Sequence, residues 1–258
     1  MGYGVFDERA DCPNQAHGSP ICPRCAALIA ADSPLCSARA GLRRWLVIAM
    51  TLTARPFPKA ERLTLIGLTL AVLIWSGIAP TDRLTWVLET VWVMVGLPLI
   101  IVCWSRFPLT RLLCWLLLLH ASVLCVGGHY TYAEVPIGEW VQHTFDLSRN
   151  HYDRLGHFMQ GFVPAIIGRE LLLRKTPLRP GGWLVYLVAS CCLAFSAFFE
   201  FLEWWAAVIM GGRADAFLAT QGDIWDTQWD MFLALSGSLL AQLLLGWLHQ
   251  RQLEPKSP

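Results

Sequence analysis

Four short stretches of this chain gather residue types that do acid–base or metal chemistry. The first, GHYTYAEVP at residues 128–136, carries His129 and Glu134. The second, RNHYDRLGH at 149–157, sets Asp153 and His157 four residues apart. On a helix that spacing puts them one turn apart on one face, where a carboxylate can orient an imidazole and raise its basicity. The third, FFEFLEWW at 198–205, holds Glu200 and Glu203 on a common face of an otherwise apolar segment. The fourth, QGDIWDTQWD at 221–230, spaces Asp226 and Asp230 by one turn, with Asp223 just before them. An imidazole among carboxylates can act as a general base while the acids hold a divalent cation. The set expected to carry chemistry is therefore His157, Glu200, Glu203, Asp226 and Asp230. Of these, His157, Glu200, Asp226 and Asp230 are the expected metal ligands, and His129 and Asp153 support them. Arg154 or Arg213 would be the counter-charge if no cation is bound.

Plainer roles compete for the same residues. Tyr130 and Tyr132 suit a membrane interface, as do Trp204 and Trp205. Asp153 is placed to cap a helix, and so is Asp226 or Thr227. Capping does not account for a His one turn beyond Asp153, nor for three aspartates within eight residues. Two carboxylates on an apolar helix are costly unless paired, protonated or bound to a cation. Gly161, just after His157, would allow a close helix approach. The Arg169–Glu170 pair, followed by Arg174 and Lys175, reads as an interfacial anchor and is left out of the site.

The elements that position these groups follow from composition. Hydrophobic residues make up 55% of the chain and charged residues 15%, against about 25% charged in a soluble domain. Lipid is the implied solvent, and membrane lipid the implied partner. No basic tract or recognition motif points to nucleic acid. A span needs about 20 mostly apolar residues, and six candidates are present: 63–79, 85–104, 109–126, 156–173, 183–210 and 231–248. The fold class expected is an all-α polytopic membrane bundle of six transmembrane helices. From Met50 onward, eleven Lys and Arg fall on one side, against Arg83, Arg149, Arg154 and Arg213 on the other. The positive-inside rule then makes both termini cytoplasmic. Loops 80–84, 127–155 and 211–230 face outward, and most acids and histidines fall on that face.

Residues 1–49 differ in character and are expected to be a disordered extension or the product of an early start, with Met50 as the alternative initiator. Cys22 and Cys25 have zinc-knuckle spacing, with Cys12, Cys36 and His17 nearby, but no complete four-ligand pattern is present. Residues 50–250 form the membrane domain and 251–258 a short cytoplasmic tail. The five later cysteines lie in or beside apolar runs and behave as small hydrophobes. The sequence contains no Gly-rich phosphate loop and no HExxH.

Taken together, GGHYTYAEVP, RNHYDRLGHFMQGFVPA, EFLEWW and TQGDIWDTQWDM resemble the YjdF-like family of bacterial inner-membrane proteins, over roughly Met50 to Leu248. The resemblance implies an inner-membrane location and adds no chemistry. The chain is also similar, motif by motif, to VanZ-like membrane proteins. Asp153-Arg154-x-x-His157, Glu200-x-x-Glu203 and Asp226-x-x-x-Asp230 follow that order, with Glu203 standing for Gln and Asp230 for Asn. The functional expectation is a His/carboxylate site at the periplasmic boundary that binds a divalent metal ion and binds, or acts on, a lipid or envelope group. The alternatives are a small-solute or proton-coupled transporter, and a noncatalytic envelope-stress or assembly protein. The topology has a direct check. An alkaline phosphatase reporter fused after Gln250 is expected to be inactive, and an active fusion reverses the orientation.

Overall fold

The computed structural model describes residues 52–211 and 215–255. The cysteine-rich extension at 1–49, the alternative start at Met50, Arg213 and the last residues of the tail lie outside the described residues. The fold is helical. Among the described residues, six helices have 18 or more residues: α1 (Lys59–Ser76), α2 (Arg83–Cys103), α3 (Arg111–Tyr130), α5 (Tyr152–Lys175), α6 (Gly182–Met210) and α8 (Asp226–Arg251). Two short helices, α4 (Pro136–Thr144) and α7 (Asp215–Leu218), lie in the connections. The six expected spans thus correspond to six long helices. Four of them, α2, α3, α6 and α8, are long and apolar enough to cross a membrane. The other two are more polar. α1 carries Lys59, Glu61 and Arg62 at its start, and α5 carries charges at both ends.

Large apolar side chains cover the outer faces: Val102, Ile209 and Leu243 are each more than three-quarters exposed. In water such a surface would aggregate, whereas in a bilayer it is the solvated face. α5 has the opposite character. It packs against α8, α6 and α3, and its charged and polar groups are turned inward. The closest approach is to α8, through small residues. A Cβ at Gly161 would collide with the Ala234 carbonyl, and one at Gly237 with the Phe158 carbonyl. Such small-residue contacts let backbones touch where lipid supplies no hydrophobic drive for association.

The two ends of the described chain lie side by side. Strand β1 (Leu52–Ala54) pairs antiparallel with β2 (Leu253–Pro255), Leu52 opposite Pro255 and Ala54 opposite Leu253. The Arg55 amide extends this clip by donating to the Gln252 carbonyl at 2.9 Å. The Gln252 side chain accepts from the Leu112 amide, also at 2.9 Å, which ties the start of α3 to the same end.

Close by, Glu170 is not the interfacial anchor expected from sequence. It is fully buried. Its Oε1 accepts from Arg174 at 2.7 Å and from the Thr110 amide at 3.1 Å. Its Oε2 accepts from the Thr110 hydroxyl at 2.8 Å and lies 3.3 Å from His249 Nε2. The carboxylate therefore joins α5 to the starts of α3 and the end of α8. Sequence could not reveal this, because its partners lie 60 and 79 positions away.

Because backbone atoms cannot yield as side chains do, Gly161→Ala is expected to destabilise the bundle by about 1–3 kcal/mol, as overpacking does. Thermal unfolding of purified protein checks this, with Gly67→Ala, which meets nothing within 4 Å, as the unaffected control.

Candidate functional site

At the other end of α5 its first turns meet α6 and α8. Asp153 and His157 face inward from α5, Glu200 and Glu203 from α6, and Asp226 and Asp230 from α8; all six are buried. His157 stands between two groups of acids. Its Nε2 lies 3.5 Å from Asp153 and 3.8 Å from Asp230, and its Nδ1 lies 3.9 Å from Glu200 Oε1. Ligand atoms of Asp153, His157 and Asp230 all fall within 4.8 Å of one another, and so do those of His157, Glu200 and Glu203. His157 Nδ1, Glu200 Oε1 and Asp230 Oδ1 are buried without a hydrogen-bond partner among the described residues. Either trio could coordinate an ion through one ring nitrogen while acids on the far side fix the tautomer, a common arrangement around metal-bound histidine.

The acids differ in what compensates them. Arg149, in the loop before α5, is buried and donates to Asp226 Oδ1 at 2.5 Å, to Asp153 and Asp223 at 3.5 Å each, and to the Ala219 carbonyl at 3.2 Å. Arg154 binds Asp223 at 2.6 Å and lies over the Trp229 ring. Among the described residues the counter-charge comes from Arg149, with Arg154 held outside by Asp223; Arg213 lies outside the described residues. Asp226, expected as a metal ligand, has its Oδ1 engaged by the Arg149 guanidinium. Asp223 is kept below the usual carboxylate range by the Trp225 amide first, then by Arg154 and Arg149. Neither Asp153 nor Asp226 caps its helix: the N-caps are His151 and Trp225. Glu200 and Glu203 have no Lys or Arg within ion-pair distance among the described residues.

The connecting loops are held together by polar contacts. The Asn150 amide donates to the Gln221 side chain at 3.0 Å, and Gln221 Nε2 returns a bond to the Asn150 carbonyl at 2.9 Å. Asn150 Nδ2 also donates to the Val135 carbonyl at 3.1 Å. These contacts seat Arg149 and were not foreseen. Asn150 and Gln221 had no periodic pattern to mark them, since both lie in loops. His129, expected to support the site, is engaged elsewhere. Its Nδ1 is 2.9 Å from the Ser76 carbonyl and its ring stacks on Trp75, so it fastens α3 to α1. Tyr132, expected at the interface, is buried instead. Its ring fills the space left by Gly127 and Gly156.

The cluster borders a cavity of about 880 Å³. Asp153, His157, Glu203 and Glu89 line one end; Glu170, Arg62 and Lys175 line the other. Between them the walls, formed by α1, α2, α3, α5 and α6, are mostly apolar, with Thr69, His120 and Gln160 the polar exceptions along α1, α3 and α5. Trp92 of α2 reaches Phe195 and Phe199 of α6, with ring centroids 5.3 and 6.5 Å away, and Phe199 lies edge-on to His157.

Comparison with known proteins gives consistent results. Residues 61–251 match the family model described as "Predicted membrane protein (DUF2238)". The chain is 49% identical over 207 residues to the protein named "Inner membrane protein YjdF" of Escherichia coli (strain K12), covering 79% of this chain and 96% of that one. No solved structure matches significantly.

Removing Arg149 would strand Asp226 and Asp153 without their shared cation. Arg149→Met is expected to cost about 3–5 kcal/mol, as breaking a buried ion pair does. The Arg149→Met, Asp226→Asn double variant should recover part of that loss. Thermal unfolding of the single and double variants measures the coupling, and strict additivity would contradict the pairing.

Proposed function

The chain belongs to the DUF2238 family of membrane proteins, and from that premise we propose that it is a six-spanning inner-membrane protein holding a divalent cation between His157, Glu200 and Glu203. Asp153 and Asp230 serve this ion from the far side of the ring, steering Nε2 so that Nδ1 is free to bind. His129 has no part in the site, and Asp226 acts through Arg149 as a positioning residue. The bound ion engages an oxygen of a lipid or envelope group entering from the cavity.

The observation that carries this reading is the pair Glu200 and Glu203, buried beside an unpartnered imidazole nitrogen. Carboxylates in a low-dielectric setting need a positive partner or a proton. A mixed imidazole and carboxylate set suits a metal of the manganese, iron or zinc kind. The topology has separate support. The β1–β2 clip sets the two ends of the bundle side by side, which requires an even number of crossings between them. The basic residues cluster at the clip end, which supports a cytoplasmic location for that end and a periplasmic-boundary location for the His157 cluster.

Manganese binding to purified protein, followed by electron paramagnetic resonance, tests the site. His157→Ala and Glu200→Gln are each expected to weaken it by about tenfold or more, as loss of metal-site partners does. Wild-type protein that binds no manganese, or variants that bind it equally well, would overturn the reading.

A further inference from the structure

We infer that the cavity beside the His157 cluster holds one acyl chain of a phospholipid, with the lipid phosphate presented to the cation site. The inference rests on the proposed function for the headgroup end and on the cavity itself for the chain. Three features point to this occupant. The cavity follows α5 from Asp153 to Glu170, a rise of about 26 Å at 1.5 Å per residue. Half of a hydrocarbon core about 30 Å thick is about 15 Å, so a whole acyl chain fits below the cluster. The middle of the cavity is lined mostly by apolar side chains such as Leu117, Leu124 and Ile167, with His120 and Gln160 among them, and the apolar ones offer a hydrocarbon chain dispersion contacts. The cavity also opens sideways. Leu63 and Leu99 line it and are each more than half exposed, so a chain can enter from the surrounding lipid without crossing water.

The polar end is built to meet a headgroup. His157 and Glu203 line the cavity, and His157 Nδ1 is buried with no hydrogen-bond partner among the described residues. No arginine or lysine lies within ion-pair distance of Glu203 among the described residues, so an anionic phosphate approaches only through the bound cation. Cavity and ion then hold opposite ends of one lipid. The ion draws the phosphate to the cluster, and the chain sets its depth.

Gly96 of α2 gives a clean test, because it lines the cavity and a Cβ there meets nothing within 4 Å. A large side chain at that position fills the cavity instead of clashing with the bundle. Gly67 of α1 has equal room but does not line the cavity, so it is the control. The probe is phosphatidylglycerol with a photoactivatable diazirine near the end of one acyl chain, in nanodiscs containing the full chain and manganese. Labelling is expected on peptides carrying Leu117 or Ile167, to persist in Gly67→Trp, and to be lost in Gly96→Trp. Unlabelled phospholipid should displace it and inorganic phosphate should not. Equal labelling of Gly96→Trp and wild type, label confined to lipid-facing positions, or displacement by inorganic phosphate would each overturn the inference. Should Gly96→Trp fail to accumulate, Leu117→Phe carries the same comparison. Manganese binding is measured on the same samples to separate the two readings. Chain labelling of wild-type protein that binds no manganese removes the cation site but leaves the chain in place. Manganese binding without cavity labelling does the reverse.

Discussion

The backbone contact between α5 and α8 sets the distances on which the remainder of the molecule depends. Gly161 and Gly237 let the two helices approach until a Cβ on either would strike a carbonyl of the other. At that separation Asp230 comes within 3.8 Å of His157, and Asp226 within reach of Arg149. A wider spacing would leave each of these groups facing hydrocarbon, which offers no hydrogen bonds in exchange. Polar side chains and small residues are thus two parts of one solution. The glycines bring the backbones together, and the charges define a single register at which the helices stop. Glu200 and Glu203 join from α6 and add to the acid surplus.

The two ends of α5 show how differently buried charge can be used. Glu170 is satisfied from three directions, by Arg174 one turn away, by Thr110 at the start of α3, and by His249 at the end of α8. A carboxylate with both oxygens engaged rigidifies its surroundings and has little capacity left for a ligand. At the other end the supply of donors is short. Arg149 serves Asp153, Asp223 and Asp226 together, while atoms of His157, Glu200 and Asp230 stay without partners. The state of the carboxylate oxygens, engaged in Glu170 but open at Glu200 Oε1 and Asp230 Oδ1, more than the count of acids, separates a structural lock from a place where chemistry is proposed.

Much of this was legible in the sequence, for reasons that differ from element to element. Apolar run length located the six long helices, since a segment that faces lipid on most sides must be apolar throughout. Turn spacing put Asp153 and His157 on one face, and Glu200 with Glu203, because helical geometry is local. Partner identity is not local, and there the reading went astray. Arg149 looked no more distinctive than Arg154, yet the loop bonds of Asn150 and Gln221 bring it in and leave Arg154 at the rim. His129 shares its motif with residues near the cluster but faces α1, a direction no linear pattern encodes. Glu170 sits in a basic stretch with the composition of an interfacial anchor, and only the meeting of α3, α5 and α8 reveals it as a buried junction. The clip and the short α4 helix had no signal, being too brief for periodicity to register.

The clip also bears on how the molecule is assembled. Its first strand emerges before any of the long helices, and its second only after the last of them. Loop-closure entropy weighs against a contact spanning so much chain until the intervening helices have docked. The β1 segment must therefore wait, unpaired, through the insertion of the whole bundle. Pairing of Leu52–Ala54 with Leu253–Pro255 is then the closing event of biogenesis, a latch that can form only when every helix between its halves has found its place.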